Sequence, residues 1–300
     1  MRVQRFRKLA RSRWAFCLAG ALVLSSCAQL QTKPGLPAIS GEPGAEAQPG
    51  KFVFHELVSD DPERAEAFYG GLFGWQFREL EDGYSLIEAD GEVIGGLVRH
   101  LSEDAGRSEN QWISSLSVKD VDAAVALIRE RGGELLEGPQ TLPPRGRLAI
   151  VKDPQGALLV LLRAENGDPP DSTPVPGRWL WDELWTRDPK AAQGFYQDLA
   201  GYGAAALGES TGDWYLLLSS GERPRAGIVQ LPWPELTPSW LPYLRVSDIP
   251  ATIERATELG GSLLLVPAAS VESGQVAILA DPTGAVFGIQ QPLVSGRAEP

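Results

Sequence analysis

The chain has 300 residues, and its 39 Asp and Glu residues outnumber its 27 Lys and Arg residues, which gives a formal net charge of −12. An acidic chain repels nucleic acid and anionic lipid surfaces, so we expect no nucleic-acid partner. The length is sufficient for two ordinary domains, and the two cysteines are Cys17 and Cys27.

The N-terminus combines a basic head with a short apolar stretch. The first 26 residues contain no acid, and residues 14–24 form an apolar run that is too short to span a bilayer as a lone helix. Leu24-Ser25-Ser26-Cys27 closes this run. The whole arrangement resembles a bacterial lipoprotein signal, and the resemblance implies cleavage after Ser26 and lipid attachment to Cys27. The alternative is an ordinary export signal with an incidental cysteine.

The lipoprotein interpretation has consequences for charge and location. Loss of a signal peptide at 1–26 takes the formal net charge from −12 to −18, because six Lys and Arg residues leave with it. Cys17 leaves as well, so no disulfide is expected. The resemblance implies that acylated Cys27 binds the lipid bilayer of the cell envelope. Ala28 after the cysteine resembles the pattern of Gram-negative lipoproteins delivered to the outer membrane, facing the periplasm.

Residues 27–50 contain no apolar period and are rich in Pro, Gly and Ala. Segments of this composition do not bury enough apolar surface to fold. We therefore predict that residues 27–50 form a disordered tether.

Two long stretches of the chain repeat one another. An offset of 127 relates six positions, Glu56/Glu183, Leu57/Leu184, Asp61/Asp188, Pro62/Pro189, Phe68/Phe195 and Tyr69/Tyr196. An offset of 128 relates a further series that runs from Trp112/Trp240 to Gly156/Gly284. The repeat predicts two copies of one domain, at 51–165 and 177–292, joined by a Pro-rich linker at 166–176 and followed by a tail at 293–300.

Each copy is predicted to contain two units of strand, helix and three strands. In the first unit, Asp61 caps a helix that begins at Pro62 and ends at Gly70-Gly71, and strands follow at 75–80, 84–88 and 93–98. In the second unit, a strand at 112–118 leads to Asp120, to a helix with one apolar face that stops at Gly132-Gly133, and to a last strand at 158–162. Four such units predict an α+β fold.

The motifs of these units resemble the vicinal oxygen chelate superfamily, which includes glyoxalase I, extradiol dioxygenases and bleomycin-resistance proteins. The shared motifs are the Asp-Pro-x-x-Ala-x-x-Phe-Tyr helix start, the Gly-Gly helix stop and the Asp-Pro-x-Gly turn before the last strand. The resemblance implies four βαβββ modules that form two tandem domains, each a cupped mixed sheet with helices outside. It does not imply one activity, because the superfamily hosts many chemistries.

Metal-using members of that superfamily hold the ion through His, Glu or Gln side chains at four strand positions. The equivalent positions here carry Phe54, Ile113, Val160 and Gly95 or Gly96 in copy one, and Trp181, Leu241, Gly288 and Ala226 or Gly227 in copy two. None of these residues is a metal ligand, so we predict no metal and no other cofactor. A site formed by His55, Glu56 and His100 is the alternative for copy one.

Strand alternation predicts which side chains line each cup. Trp181, Glu183 and Trp185 share one face of the first strand of copy two, and Phe54 and Glu56 share the equivalent face in copy one. The superfamily register places both sets inside the cups. An aromatic ring beside a carboxylate suits a flat or cationic small molecule.

The two copies differ at one further position of this face, where copy two has Tyr243 and copy one has Ser115. We therefore expect cup two to be the working cup. The structural alternative for the glutamates is pairing with an inward arginine, such as Arg99 in copy one or Arg245 in copy two.

The sequence thus predicts a metal-independent envelope protein that binds a small organic molecule. The ligand-binding candidates are Phe54, Glu56, Trp181, Glu183, Trp185 and Tyr243. One alternative is an enzyme with lyase, isomerase or hydroxylase-like activity, in which Glu56 or Glu183 is the catalytic base, with or without a divalent metal. Another is a structural envelope protein whose cups are filled by side chains.

Overall fold

The computed structural model describes residues 36–39, 44–80, 83–100, 110–207, 215–231, 233, 235–266 and 275–291. The predicted signal peptide, Cys27 and the tail at 293–300 lie outside these ranges. Within them, no helix is both long enough and apolar enough to cross a bilayer.

The first copy contains two strand-helix-strand-strand-strand units, as predicted. Its elements are β1 (Phe52–Ser59), α1 (Pro62–Phe73), β2 (Gln76–Glu79), β3 (Tyr84–Ala89), β4 (Glu92–Arg99), β5 (Gln111–Ser117), α2 (Val121–Glu130), β6 (Glu134–Leu142), β7 (Gly146–Lys152) and β8 (Leu158–Ala164).

The second copy repeats this order. Its elements are β9 (Trp179–Thr186), α3 (Pro189–Ala200), β10 (Gly203–Leu207), β11 (Tyr215–Ser220), β12 (Arg223–Gln230), β13 (Ser239–Arg245), α4 (Ile249–Glu258), β14 (Ser262–Leu265), β15 (Val276–Ala280) and β16 (Val286–Gln290).

Each copy forms one mixed eight-stranded sheet, in the order β2-β3-β4-β1-β5-β8-β7-β6 for the first and β10-β11-β12-β9-β13-β16-β15-β14 for the second. The first strands of the two units, β1 and β5, run antiparallel at the centre, and each runs parallel to the last strand of its own unit. The predicted α+β fold of two tandem βαβββ domains is confirmed.

The helix starts follow the capping chemistry of the sequence. The carboxylates of Asp61 and Asp188 accept the backbone N–H of Arg64 and Ala191, and a proline occupies the first turn of α1 and α3. The predicted end of α1 at Gly70-Gly71 is wrong. The helix continues to Phe73 and ends at Gly74, whose φ of 72° is left-handed and favours glycine.

The helices cover the convex face of each sheet and are packed between the two copies. Side chains of α1 and α4 share one apolar core with the first half of sheet one and the second half of sheet two. Side chains of α2 and α3 share the other core with the remaining two halves. Contacts between α1 and α4 and between α2 and α3 join the copies directly. The two domains consequently pack back to back as one compact unit.

Two equivalent sets of polar side chains, one from each copy, cross this interface. The Trp240 indole donates to the Tyr196 hydroxyl at 2.8 Å, and that hydroxyl donates to Asp153 of the other copy at 3.0 Å. The Trp112 indole donates to Tyr69 at 2.8 Å, and Tyr69 faces Asp281 of the other copy. Trp112 and Trp240 therefore pack in the core, away from the cups.

The segment before the first domain packs against that domain where the structure describes it. Residues 36–39 and 44–50 belong to the segment that the sequence predicts to be a disordered tether, and the contacts of Leu36 and Ile39 were not part of that prediction. Leu36 is buried against Tyr84 and Leu86 on the concave face of sheet one. Ile39 packs beside Val53 in a neighbouring cluster. These contacts join residues far apart in sequence, so local composition does not reveal them.

Candidate ligand-binding site

Cup two is lined by side chains from its central strands. Trp181 and Trp185 on β9 pack with Tyr243 on β13, in a cluster that also contains Val276 and Ile278 of β15. This cluster is separate from the two cores that the helices fill. The structure thus brings together the three aromatic residues that the sequence predicted to line this cup.

Glu183 lies among these aromatic residues with only 5 % of its surface exposed. The Tyr215 hydroxyl donates to its carboxylate at 3.1 Å, and the Trp181 indole donates to the Tyr215 hydroxyl at 3.1 Å. The Tyr243 hydroxyl also hydrogen-bonds to Glu183, and burial together with this carboxylate raises the pKa of Tyr243. Tyr243 therefore remains a neutral donor toward Glu183 at physiological pH.

Two glycines make room for these tyrosines. A Cβ atom at Gly227 would lie 2.5 Å from the Tyr215 hydroxyl, and a Cβ atom at Gly288 would lie 2.2 Å from the Tyr243 ring. Gly227 pairs with Glu183 across β12 and β9, and Gly288 pairs with Tyr243 across β16 and β13. A larger side chain at either glycine would displace a ring from the cup.

Cup one also contains a tyrosine that donates to a glutamate, but there an arginine contacts both the tyrosine and the aromatic ring of the cup. The Tyr84 hydroxyl donates to Glu56 at 2.8 Å and accepts a bond of 3.3 Å from the buried Arg145 guanidinium. That guanidinium also lies 4.2 Å from the centroid of the Phe54 ring. Leu36 packs on Tyr84 from the N-terminal segment. Aromatic ring and carboxylate are thus both engaged by the protein itself.

The two arginines named as the structural alternative for the glutamates have other partners. Arg99 pairs with Glu63 at the start of α1, and Arg245 donates to the carbonyl of Pro174 in the linker. The arginine that is linked to a cup glutamate is Arg145, which reaches Glu56 through Tyr84. Arg145 lies between β6 and β7, far from Glu56 in sequence, and no periodicity of the sequence identifies it.

His55 lies on the opposite face of β1 from the cup. Its Nε2 atom is 3.1 Å from the Asp182 carboxylate, and its ring packs against Trp179 in a tilted arrangement with 4.2 Å between ring centroids. Ser114 donates to the same carboxylate at 2.6 Å. His55 and Asp182 occupy equivalent positions of the two copies, so this pair joins β1 to β9 at the centre of the interface. A site formed by His55, Glu56 and His100 is excluded because His55 points away from Glu56.

The residues at the four superfamily metal positions do not fit a metal ion. In cup two these positions hold Trp181, Leu241, Gly227 and Gly288, and a tyrosine ring or hydroxyl covers each glycine. In cup one the Tyr84 hydroxyl covers Gly96 in the same way. Divalent metals need three or more oxygen, nitrogen or sulfur ligands. Across the described part of the chain, no group of three His, Cys, Asp or Glu side chains is placed to hold one.

Tyr84 and Tyr215 are site residues that the sequence reasoning missed. Both lie at the start of the third strand of a unit, with Tyr84 opposite Val98 and Tyr215 opposite Val229. The hairpin before each tyrosine differs in length between the copies, so the two fall outside the offsets of 127 and 128. Alignment of the glycine-containing strands β4 and β12 would have found them.

The fold and the cups define a tandem glyoxalase-type protein, and comparison with known families agrees. Residues 51–161 match the Glyoxalase/Bleomycin resistance protein/Dioxygenase superfamily, and residues 181–290 match the Glyoxalase-like domain. The chain belongs to the glyoxalase/bleomycin resistance protein/dioxygenase superfamily.

Two named relatives cover most of the chain. The anthracycline biosynthesis protein DnrV of Streptomyces peucetius is 32% identical over 260 residues, which cover 80% of this chain and 93% of DnrV. The protein named "Putative glyoxylase CFP32" of Mycobacterium bovis is 29% identical over 242 residues, which cover 79% of this chain and 93% of CFP32.

Solved structures share the fold at low sequence identity. The Mn(II)-bound glyoxalase from Novosphingobium aromaticivorans has a TM-score of 0.57 and 17% identity, and the match covers 82% of this chain and 83% of that one. The 2,3-dioxygenase LapB from a Pseudomonas species has a TM-score of 0.55 and 12% identity, over 84% of this chain and 97% of LapB. These likenesses concern the fold alone.

Proposed function

We propose that this protein is a lipid-anchored member of the superfamily that binds a flat small organic molecule in cup two, without the superfamily metal. The observation that carries the proposal is the position of Glu183, which is buried at the floor of a cup walled by Trp181, Trp185 and Tyr243. Indole rings stack on flat molecules, and the carboxylate accepts hydrogen bonds from a bound donor.

The alternative of a structural cup that is filled by side chains applies to the first domain. Leu36 covers Tyr84, and Arg145 covers Phe54. Glu56 accepts from the Tyr84 hydroxyl, which in turn accepts from the buried Arg145 guanidinium, so the polar groups of this cup bind one another. We therefore assign ligand binding to cup two.

The name of DnrV suggests a suitable probe. An anthracycline has a flat fused-ring system with carbonyl oxygens and a sugar that carries an ammonium group, and these features suit aromatic walls beside a carboxylate. Doxorubicin is a fluorescent anthracycline, so its binding to full-length protein in detergent is measurable by titration.

The first prediction compares equivalent glutamates of the two cups. We expect Glu183→Gln to raise the Kd for doxorubicin by about 10- to 150-fold, because the variant loses a charge-assisted contact worth about 1.5–3 kcal/mol. Glu56→Gln is the matched control, and we expect it to change the Kd by less than about twofold, within the scatter of substitutions outside the site. Equal losses in both variants, or no loss in either, would contradict the assignment to cup two.

Catalysis with Glu183 or Glu56 as base is the second candidate, and the name of CFP32 is the observation that favours it. A carboxylate within reach of a bound molecule is able to accept a proton. Metal analysis of the purified full-length protein separates the candidates, since stoichiometric Ni, Zn, Fe or Mn would favour the enzyme over the metal-independent receptor.

The anchoring part of the proposal rests on Cys27 and its preceding signal-like segment. We expect acylation to hold the protein in the cell envelope, at the periplasmic face of the outer membrane in a Gram-negative cell. Two or more acyl chains anchor stably, because each buried methylene contributes about 0.8 kcal/mol.

The second prediction concerns this modification. In cells fed an alkyne-tagged palmitate, we expect full-length protein to carry the tag and Cys27→Ser to lose it. Cys17→Ser is the matched control and keeps the tag, because Cys17 leaves with the signal peptide. An untagged wild type, or a Cys27→Ser variant that is tagged as fully as the wild type, would refute the anchor.

A further inference from the structure

A pocket of about 160 Å³ lies between the two copies, on the helix side of the sheets. Copy two lines it with Ala191, Ala192 and Phe195 of α3, and copy one lines it with Arg131 and the turn at 153–155. Among the described residues, its lining shares no side chain with either cup. A molecule bound in this pocket would therefore contact both copies at once.

Comparison of the two halves of the molecule shows why space is open here. The repeat equivalents of Arg131 and Asp198 are Leu259 and Gly71. Leu259 packs on Gly71 so closely that a Cβ atom added to Gly71 would lie 2.9 Å from its Cδ2 atom. Arg131 instead forms an ion pair with Asp198, in which each side chain is 46 % exposed. The guanidinium is thus held toward solvent, and the space that Leu259 fills in one half is left open in the other.

A second difference between the halves also removes atoms from this region. Phe68 packs against Phe287 with 6.1 Å between ring centroids. The equivalents of these two residues are Phe195 and Leu159, which lie in one apolar core. Phe195 therefore lacks the aromatic neighbour that Phe68 has, and it forms a wall of the pocket.

The polar side chains around the pocket already have partners. The Asp153 carboxylate accepts from the Tyr196 hydroxyl at 3.0 Å and from the Ala157 N–H at 2.9 Å. The Gln155 amide donates to the Asp188 carbonyl and accepts from the Asp188 N–H, both at 2.9 Å. A charged or strongly polar ligand would compete with these bonds, whereas an apolar ligand leaves them intact.

We propose that this pocket binds a molecule with one uncharged aromatic ring. Apolar cavities of about 150 Å³ in other proteins hold a single benzene ring. Pro154, Ala191 and Ala192 provide apolar contact. Phe195 favours an aromatic ring, because aromatic pairs gain energy beyond the area that they bury. The site is independent of ligand binding in cup two.

The third prediction uses fluorobenzene and fluorocyclohexane, which have similar size and differ in aromaticity. Their binding to full-length protein is measured by the shift and broadening of the fluorine NMR signal, referenced to the same detergent solution without protein. We expect saturable binding of fluorobenzene, about fivefold tighter than that of fluorocyclohexane, because only the aromatic ring gains from Phe195 beyond its buried area.

Two substitutions fill the pocket from opposite walls. Arg131→Leu introduces the side chain that Leu259 has in the equivalent half, and Ala191→Leu narrows the pocket from copy two. We expect each variant to weaken fluorobenzene binding at least tenfold and to keep the urea midpoint of the wild type. Arg129→Leu is the matched control, because Arg129 is exposed on α2 and does not line the pocket. Its affinity for fluorobenzene should stay within about twofold of the wild type.

Four results would overturn the inference. They are non-saturable binding in the wild type, equal affinity for the two probes, unchanged fluorobenzene affinity in both filling variants, and a loss in Arg129→Leu as large as in Arg131→Leu. Glu183→Gln separates this site from the proposed function, and it should keep fluorobenzene binding within about twofold. A loss of fluorobenzene binding in Glu183→Gln would place the ring in cup two and would also overturn the inference.

Discussion

Tyr196 is held between groups from the two halves of the chain. It accepts from Trp240 of its own copy and donates to Asp153 of the other. Asp153 is also fixed by the backbone N–H groups of Gln155 and Ala157, and burial raises the pKa of its carboxyl. The hydroxyl of Tyr196 thus satisfies two buried groups at once.

The fourth prediction follows from this double role. We expect Tyr196→Phe to lower the free energy of unfolding by about 1–3 kcal/mol, because it leaves the Trp240 N–H and one oxygen of Asp153 without partners. Urea denaturation of the full-length protein measures the loss. Trp240→Phe in the Tyr196→Phe background should then have a smaller effect than Trp240→Phe alone. Additive losses in this cycle would show that the two side chains do not act together.

The sequence identified several of the important side chains but not the residues that they contact. The repeat singled out Tyr69, Tyr196 and the two Asp-Pro-x-Gly turns. It did not show that each tyrosine faces the turn of the other copy, because a repeat relates positions within copies and contains no information on how they pack. In the cups, alternation found Trp181 and Glu183 but missed Tyr215, which the longer hairpin moves out of register.

The linker between the domains is held in place by polar contacts of two aspartates. Asp168 is buried, and its carboxylate accepts from the Ser117 hydroxyl at 2.6 Å. Asp171 contacts Lys51 at 3.0 Å, Arg225 at 2.6 Å and also Arg223. These contacts join the linker to Lys51, which precedes β1, to β5 at Ser117, and to β12 of domain two. The hydrogen bond from Arg225, together with Lys51, lowers the pKa of Asp171 against the opposing effect of partial burial.

The fifth prediction is a pH dependence at this carboxylate. A folded pKa below the unfolded value of about 3.9 means that the stability from Asp171 is fully present above that value and is lost as the pH falls through the folded pKa. We therefore expect Asp171→Asn to lower unfolding free energy by about 1–2 kcal/mol at pH 7, and by less at pH 3. Asp198→Asn, at an exposed ion pair with Arg131, is the control and should have little effect. A deficit in Asp171→Asn that grows on acidification would contradict this account.

Helices and strands were predictable because their signals are local. The Asp-Pro caps, the Gly-Gly stop of α2 and the alternation of β9 depend on neighbours in the sequence. The N-terminal segment was not predictable, because Leu36 is a single apolar residue among Pro and Gly. Its burial depends on Tyr84 and Leu86, which are brought there by the fold of the domain.

The whole molecule is held together by two cores that each belong to both copies. Phe68 of α1 packs against Phe287 of β16, with 6.1 Å between ring centroids, and His55 pairs with Asp182 across the centre. The duplication and the fold were predicted from the sequence, whereas this crosswise packing was not. Two independent domains and two interlocked ones have the same pattern of apolar residues, since each helix needs an apolar face in either case.

Back-to-back packing places the convex faces of the two sheets in contact with each other and leaves the two cups on separate sides of the molecule. The convex sides depend on each other, so a substitution in one is felt in its counterpart. The two hollows face outward and share few neighbours. In one of them Leu36 of the N-terminal segment packs on Tyr84, and in the other two tryptophans pack with Tyr243. The duplicated chain therefore combines one interface that both copies share with two cup faces whose side chains differ.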